Sequence, residues 1–270
     1  TKLQTLLHHG CADMALFQRD IYEEAVSPLL HMTAQWITKG DVADPFSEFF
    51  ITKNKIDEGS DAFWTSLYDL NNHMLPKTFT EEQATAGLTV GKNIKFMHVC
   101  CKAKEWRMLG SIAAAASAAT FDSIAGVIQD ALHHTNAAVM HMLREQFELP
   151  KMFAMARTFF LLAQGDVFDL VVERTAAVLS QPVRTVNVNT VKDQLHSALH
   201  DAAPFLDAMA RNAIPHVSVN LDHGAGDQPA AECFYLTFPF HAPLNTVFTG
   251  TVMTKYKRVF HFLWRVKRAE

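Results

Sequence analysis

Cysteine is scarce in this sequence of 270 residues, limited to Cys11, Cys100, Cys101 and Cys233. Their spacing offers neither a disulfide framework nor a zinc site, both of which need cysteines in sets that can converge. So few thiols fit a reducing cytosol. No apolar run approaches the roughly 18 to 20 residues that a spanning helix needs, and the start carries no basic, apolar and cleavage-site pattern. A net charge of -4 gives no global reason to expect nucleic acid. Nucleotide machinery is also missing. Gly87 to Asn93, GLTVGKN, comes nearest to a phosphate-binding loop, but its glycines lie one residue too close, Asn93 stands where a magnesium-binding hydroxyl belongs, and the stretch falls inside a helical pattern.

What is present is apolar and helical. With 49% hydrophobic and 19% charged residues the chain is neither disordered nor fibrous, and its length allows two domains with a core each. Charge is unevenly placed. Lys255, Lys257, Arg258, Arg265, Lys267 and Arg268 against Glu270 give the last twenty residues +5 and leave -9 on the other 250. The sequence opens on Thr1 and stops inside a helical pattern, which is expected of a segment of something longer.

Leu3 to Ala25 leans helical, with Leu3, Leu6, Leu7, Met14, Phe17 and Ile21 as candidate core positions. Ser27 as N-cap, Pro28 in the first turn and Gly40 beyond the end bracket a helix whose inner face is Leu29, Leu30, Thr33, Trp36 and Ile37. Asp44-Pro45 turns the chain into an aromatic patch of Phe46, Phe49, Phe50 and Ile51, followed by a polar loop, Lys53 to Asp61, around Gly59. Phe63 to Leu70 suggests a short helix with Phe63, Trp64, Leu67, Tyr68 and Leu70 inward. Thr80 and Gln83 form a capping-box pair. The next helix turns Ala84, Gly87, Leu88, Gly91, Ile94 and Met97 inward, and its two glycines, one turn apart, predict close approach by a neighbouring helix. Phe121 to Phe147 has helical periodicity throughout, which predicts one helix about 40 Å long.

Pro150 opens the next helix, which runs into FFLLAQGDVFDL, Phe159 to Leu170. There Gly165 reads as a helix C-terminus and Asp166 as the cap of the following helix, after a break of one or two residues. Thr190 is expected to cap a helix with Leu195, Ala198, Leu199 and Ala202 inward. Beyond Pro215 the period changes to two. His216 to Leu221 and Glu232 to Phe240 alternate on either side of a turn-prone linker, Asp222 to Ala231, and predict a β-hairpin. Thr249 then caps a last helix with Val252, Met253, Tyr256, Val259, Phe260 and Leu263 inward. The fold class is mainly α, as elongated stacked helical bundles with one small β-hairpin in the C-terminal half.

Fourteen histidines raise the question of metal. His196 and His200 are one turn apart, and His133, His134 and His141 share a helix, yet neither set has the H-E-x-x-H form or an acidic cluster beside it. Neither Cys100 nor Cys101 has a signature that would activate a thiolate. The residues therefore favour an interaction protein over an enzyme, with a generic α-helical adaptor and a metal-dependent enzyme using scattered histidines as alternatives. No cofactor or metal is implied.

Four segments resemble, in the same order, the signatures of the gamma-tubulin complex components: WITKGDVADPFSEFFI (Trp36 to Ile51), MLPKTF with GKNIKFM (Met74 to Met97), FFLLAQGDVFDL, and PLNTVFTGTVMTKYKRVFHFLWRVKR (Pro243 to Arg268). The resemblance looks closest to the component 3 type, with departures at Lys95, Ala163 and Val167. It implies a non-enzymatic helical scaffold in the cytoplasm and at microtubule-organising centres, which binds gamma-tubulin and neighbouring components and templates microtubule nucleation, with no nucleic-acid or membrane partner. Residues 1 to 127 would close the N-terminal, lateral-contact domain, and 128 to 270 would begin the C-terminal, gamma-tubulin-binding one. With gamma-tubulin as an acidic partner, the cations Lys255, Lys257, Arg258, Arg265, Lys267 and Arg268 are the candidate contact residues.

Overall fold

The computed structural model describes residues 12–56, 66–76, 79–222 and 228–269, with the backbone alone at residues 12–16 and 18. Leu3, Leu6, Leu7, the Met14 side chain, Gly59, Phe63, Trp64 and the middle of the 222–231 linker lie outside the described residues. The architecture is mainly α, with two small two-stranded antiparallel sheets among the described residues. No described helix is long and apolar enough to cross a membrane.

The chain divides into two units, Thr1–Gln146 and Phe147–Glu270. The first contains helices α1 (Ala12–Lys39), α2 (Glu81–Val99), α3 (Gly110–Ser117) and α4 (Ile124–His141), and strands β1 (Ile51–Lys53) and β2 (Tyr68–Leu70). Helix α2 is central, packed by α1, α4 and β2. Its start is the capping box: Thr80 Oγ1 accepts from the Gln83 amide, and Gln83 Oε1 accepts from the Thr80 amide.

Helix α1 departs from the expected short element. It runs unbroken through Ser27 and Pro28, so Ser27 is interior and caps nothing. Pro28 removes only the bond to the Glu24 carbonyl, on a stretch where both residues are exposed and water can serve that oxygen. Phe17 and Ile21, expected in the core, are exposed. The other end is as read: Gly40 has φ +70°, and its amide reaches the Trp36 carbonyl at 2.8 Å. Thr33, Trp36 and Ile37 are buried.

Asp44 organises the following turn, its two carboxylate oxygens accepting from the Glu48 and Phe49 amides at 2.9 Å each. Phe49, Phe50 and Ile51 are buried, whereas Phe46 is 81% exposed and leaves the expected patch. Ile51–Lys53 is a strand that takes only Lys53 from the expected loop, and Tyr68–Leu70 is its partner rather than a helix, with Ile51 opposite Leu70 and Lys53 opposite Tyr68. In the paired strand Tyr68 packs edge-on to the Trp36 ring, 4.8 Å between centroids.

Helix α4 buries Ile124, Ile128, Ala131 and Thr135. It is 18 residues long, then opens into a π-helical turn, Met142–Gln146, with Glu148 left-handed at φ 47°. At 1.5 Å per residue the α-helical part spans about 27 Å, less than the continuous helix expected. Because α4 packs on α2, it belongs to the first unit. The division thus comes after Gln146 rather than inside the helix at 127.

The second unit contains α5 (Leu149–Phe160), α6 (Gly165–Leu179), α7 (Val188–Asp201), α8 (Ala208–Ala213), β3 (Ser218–Leu221), α9 (Ala230–Cys233), β4 (Phe234–Thr237) and α10 (Gly250–Ala269). Met155, Phe159, Phe168, Val171, Leu195, Leu199, Phe234, Phe260 and Trp264 share its core. The corner between α5 and α6 differs from expectation. Four residues, 161 to 164, make the break, and the left-handed position is Leu162 at φ 50°. Gly165 is the first residue of α6, and Asp166 lies in its first turn rather than capping it.

Asn187, not Thr190, caps α7, accepting from the Asn189 amide at 2.9 Å. The hairpin is present in register, with Val219 opposite Leu236 and Leu221 opposite Phe234. Its connection carries one turn of helix, α9, and Phe238 and Phe240 follow the strand half-buried.

Candidate functional site

Helix α10 carries the candidate contact residues. Thr249 Oγ1 accepts from the Val252 amide at 3.4 Å, which opens the helix as the sequence suggests. The buried seam is Phe260 and Trp264, with Tyr256 half-buried one turn earlier. Phe260 stacks on Trp264 with ring planes 11° apart, and both rings meet Phe234 of β4. Trp264 lies outside the inner face expected from sequence, although the four-residue steps Tyr256, Phe260, Trp264 carry the signal. Val259, expected inward, is 44% exposed.

Four of the six cations are held by carboxylates of the same unit. Lys257 meets Asp222 at 2.5 Å and lies 4.0 Å from the Tyr235 ring centroid. Arg265 and Arg268, nearly one turn apart, share Glu232 of α9 at 2.6 and 3.1 Å. Lys267, the most buried of them, reaches Asp169 of α6 at 2.8 Å. Lys255 and Arg258 are exposed, and neither makes an ion pair among the described residues. The structure therefore separates a uniform-looking basic helix into four cations that tie α10 to its own unit and two that face solvent.

Half-buried His261 lies between Lys257 and Arg265 against the Tyr235 ring. Burial lowers its pKa, and the neighbouring Lys257 lowers it further.

The other histidines among the described residues do not assemble a site. His196 Nε2 bonds the Val217 carbonyl at 2.8 Å, and His134 packs on Trp106 at 5.8 Å between centroids. Among the described residues no three histidine, cysteine or acidic side chains converge on a common point. Cys100, Cys101 and Cys233 are buried, and burial pushes the Cys101 thiol up to about 11, far from an activated thiolate. GLTVGKN is helical, inside α2.

Two family models match the chain in order, and they meet where the structure divides: "Gamma tubulin complex component N-terminal" over residues 1–146 and "Gamma tubulin complex component C-terminal" over 149–270. The chain belongs to the gamma-tubulin complex component family. It is 28% identical to gamma-tubulin complex component 3 of Arabidopsis thaliana, a match covering 97% of this chain and 32% of that protein. To the spindle pole body component alp6 of Schizosaccharomyces pombe it is 26% identical, over 97% of this chain and 32% of the relative. To human gamma-tubulin complex component 3 it is 27% identical, over 90% and 28%. The chain spans about a third of the length of these relatives or less. In this member of the gamma-tubulin complex components these segments sit at packing points: Trp36 to Ile51 at the end of α1 and its turn, GKNIKFM on α2 with Gly91, Ile94 and Met97 buried, FFLLAQGDVFDL at the α5–α6 corner, and the last segment on α10 and the turn before it.

Proposed function

We propose that this chain is a scaffold segment of a gamma-tubulin complex, acting without catalysis in the cytoplasm and at microtubule-organising centres. The observation that carries the reading is the ordered match of both family models onto the two units, supported by relatives named as gamma-tubulin complex and spindle pole body components. In this reading the first unit makes lateral contacts with neighbouring components. The second holds gamma-tubulin, and an array of such subunits presents gamma-tubulins so that alpha/beta-tubulin adds to a template. The cations of α10 are the contact candidates on the second unit, with Lys255 and Arg258 the two whose charge is not already met by Asp169, Asp222 or Glu232. Long cations at an interface rim act mainly on association rate and salt dependence.

The test is co-purification of the full-length protein with gamma-tubulin and its neighbouring components. Stoichiometric gamma-tubulin in the purified complex is the expected result. A protein that assembles with other components but never retains gamma-tubulin would overturn the gamma-tubulin role and leave lateral assembly alone. One that retains neither would return the chain to a generic helical adaptor.

A further inference from the structure

One face of α10 is turned away from the core of its unit and carries apolar side chains. Val259, Phe262 and Val266 are 44%, 66% and 46% exposed, and steps of three and four residues place them in one line along the helix. Lys255 stands in that line one turn before Val259, and Arg258 lies one turn before Phe262. These are the two cations that make no ion pair among the described residues. We infer that this face docks an amphipathic helix whose apolar stripe covers Val259, Phe262 and Val266 and whose carboxylates meet Lys255 and Arg258.

Charge chooses the occupant. From Gly250 to Ala269 the helix has six basic residues and no acidic one, so a second copy laid along it would bring like charges together. Three apolar residues at this spacing form the narrow row that a helix reads through its own i, i+3 and i+7 positions. An anionic bilayer fits less well. It needs a broad apolar face with cations along its length, and here most cations are already paired with carboxylates that are themselves exposed, Asp169 to 60% and Asp222 to 47%. Those acids repel lipid phosphate. They leave the local positive charge at Lys255 and Arg258.

The experiment uses the whole chain and two helical probe peptides of about twenty residues, identical in an apolar row at three- and four-residue spacing, one with glutamates and one with lysines flanking the row. The glutamate peptide should bind, and the lysine peptide should bind about tenfold more weakly at low salt, the ratio shrinking as salt rises. Lys255→Glu with Arg258→Glu should invert the preference. Phe262→Ser should lose both peptides while the thermal melt stays unchanged. Equal binding of the two peptides, or binding by Phe262→Ser as tight as the parent, would overturn the proposal. So would dimerisation of the chain that depends on Phe262, which assigns the face to a second copy. Flotation with phosphatidylserine vesicles that depends on Phe262 would assign it to a membrane and overturn it equally.

Discussion

The indole of Trp36 fills the space that Gly91 leaves by having no side chain. A Cβ at Gly91 would stand 1.9 Å from Trp36 Cε2, and the same indole donates through Nε1 to the Gly87 carbonyl at 2.8 Å. Helices α1 and α2 are thus joined by one fully buried ring lying across two glycines. The glycine spacing announced a close neighbour. Only the fold shows that the neighbour is a tryptophan rather than a backbone.

The two glycines should respond differently to alanine. Gly91→Ala forces the ring out of its slot and should cost about 3 kcal/mol, as severe overpacking does. At Gly87 a Cβ would meet only Ile128, at 3.8 Å. Gly87→Ala should therefore stay within about 1 kcal/mol of the parent, with helix propensity favouring alanine. Urea denaturation of the two variants checks the contrast, and equal losses would refute it.

Gly165 should be permissive, contrary to its reading as a left-handed helix end. Its φ is negative and a Cβ there would touch only Lys267 Nζ, at 3.6 Å. Gly165→Ala is expected to leave the thermal midpoint unchanged or raise it, by up to about 1 kcal/mol of stability. A loss well beyond that would show that the helix start needs glycine.

Glu232 ties α10 to α9 through two arginines, but Arg265 is 63% exposed and the carboxylate 30%. Glu232→Gln should destabilise by no more than about 1 kcal/mol at low ionic strength, and the difference should vanish near about 1 M salt. Denaturant midpoints at the two salt levels decide it. For the same reason, reversing Lys257, Arg265 and Arg268 together disturbs the unit's own ties to Asp222 and Glu232, so any loss of partner binding in that variant mixes folding with contact. Lys255 and Arg258 give the cleaner variant.

His261 should add to acid sensitivity. Its folded pKa lies below the usual 6.5 because burial disfavours the imidazolium and Lys257 opposes it, with Arg265 adding to this and Asp222 and Glu232 partly offsetting. The unfolded chain then takes up the proton first, so the stability linked to this residue is complete above pH 6.5 and is lost as pH falls through the folded value. His261→Gln should flatten the decline in stability below that point. Parallel pH profiles for parent and variant would rule the linkage out.

Features made by neighbours in sequence were legible in it. The Thr80–Gln83 box, the Gly40 helix end, the Thr249 cap and the alternating Val219, Leu221, Phe234 and Leu236 depend on hydrogen bonds or periods that span a few residues. The ordered signatures also carried the family. Misreadings arose where two local signals competed. Ser27-Pro28 has the form of a helix start and lies mid-helix, and Gly165 has the form of a helix end and begins one, because Leu162 takes the left-handed turn instead.

By itself the sequence determined a mainly helical chain, its hairpin, the helix ends at Gly40, Thr80 and Thr249 and its kinship, since each is written in residue type at short spacing. Tertiary structure alone decided that Trp36 is the ring over Gly87 and Gly91 and that Tyr68 pairs as a strand with Lys53. It also decided which cations of α10 are spent. Lys267 finds Asp169 across 98 residues of chain, and Arg265 finds Glu232 across 33. Charge is a property of a residue, but whether that charge is already neutralised depends on which distant carboxylate the fold carries to it, and no local pattern records that meeting.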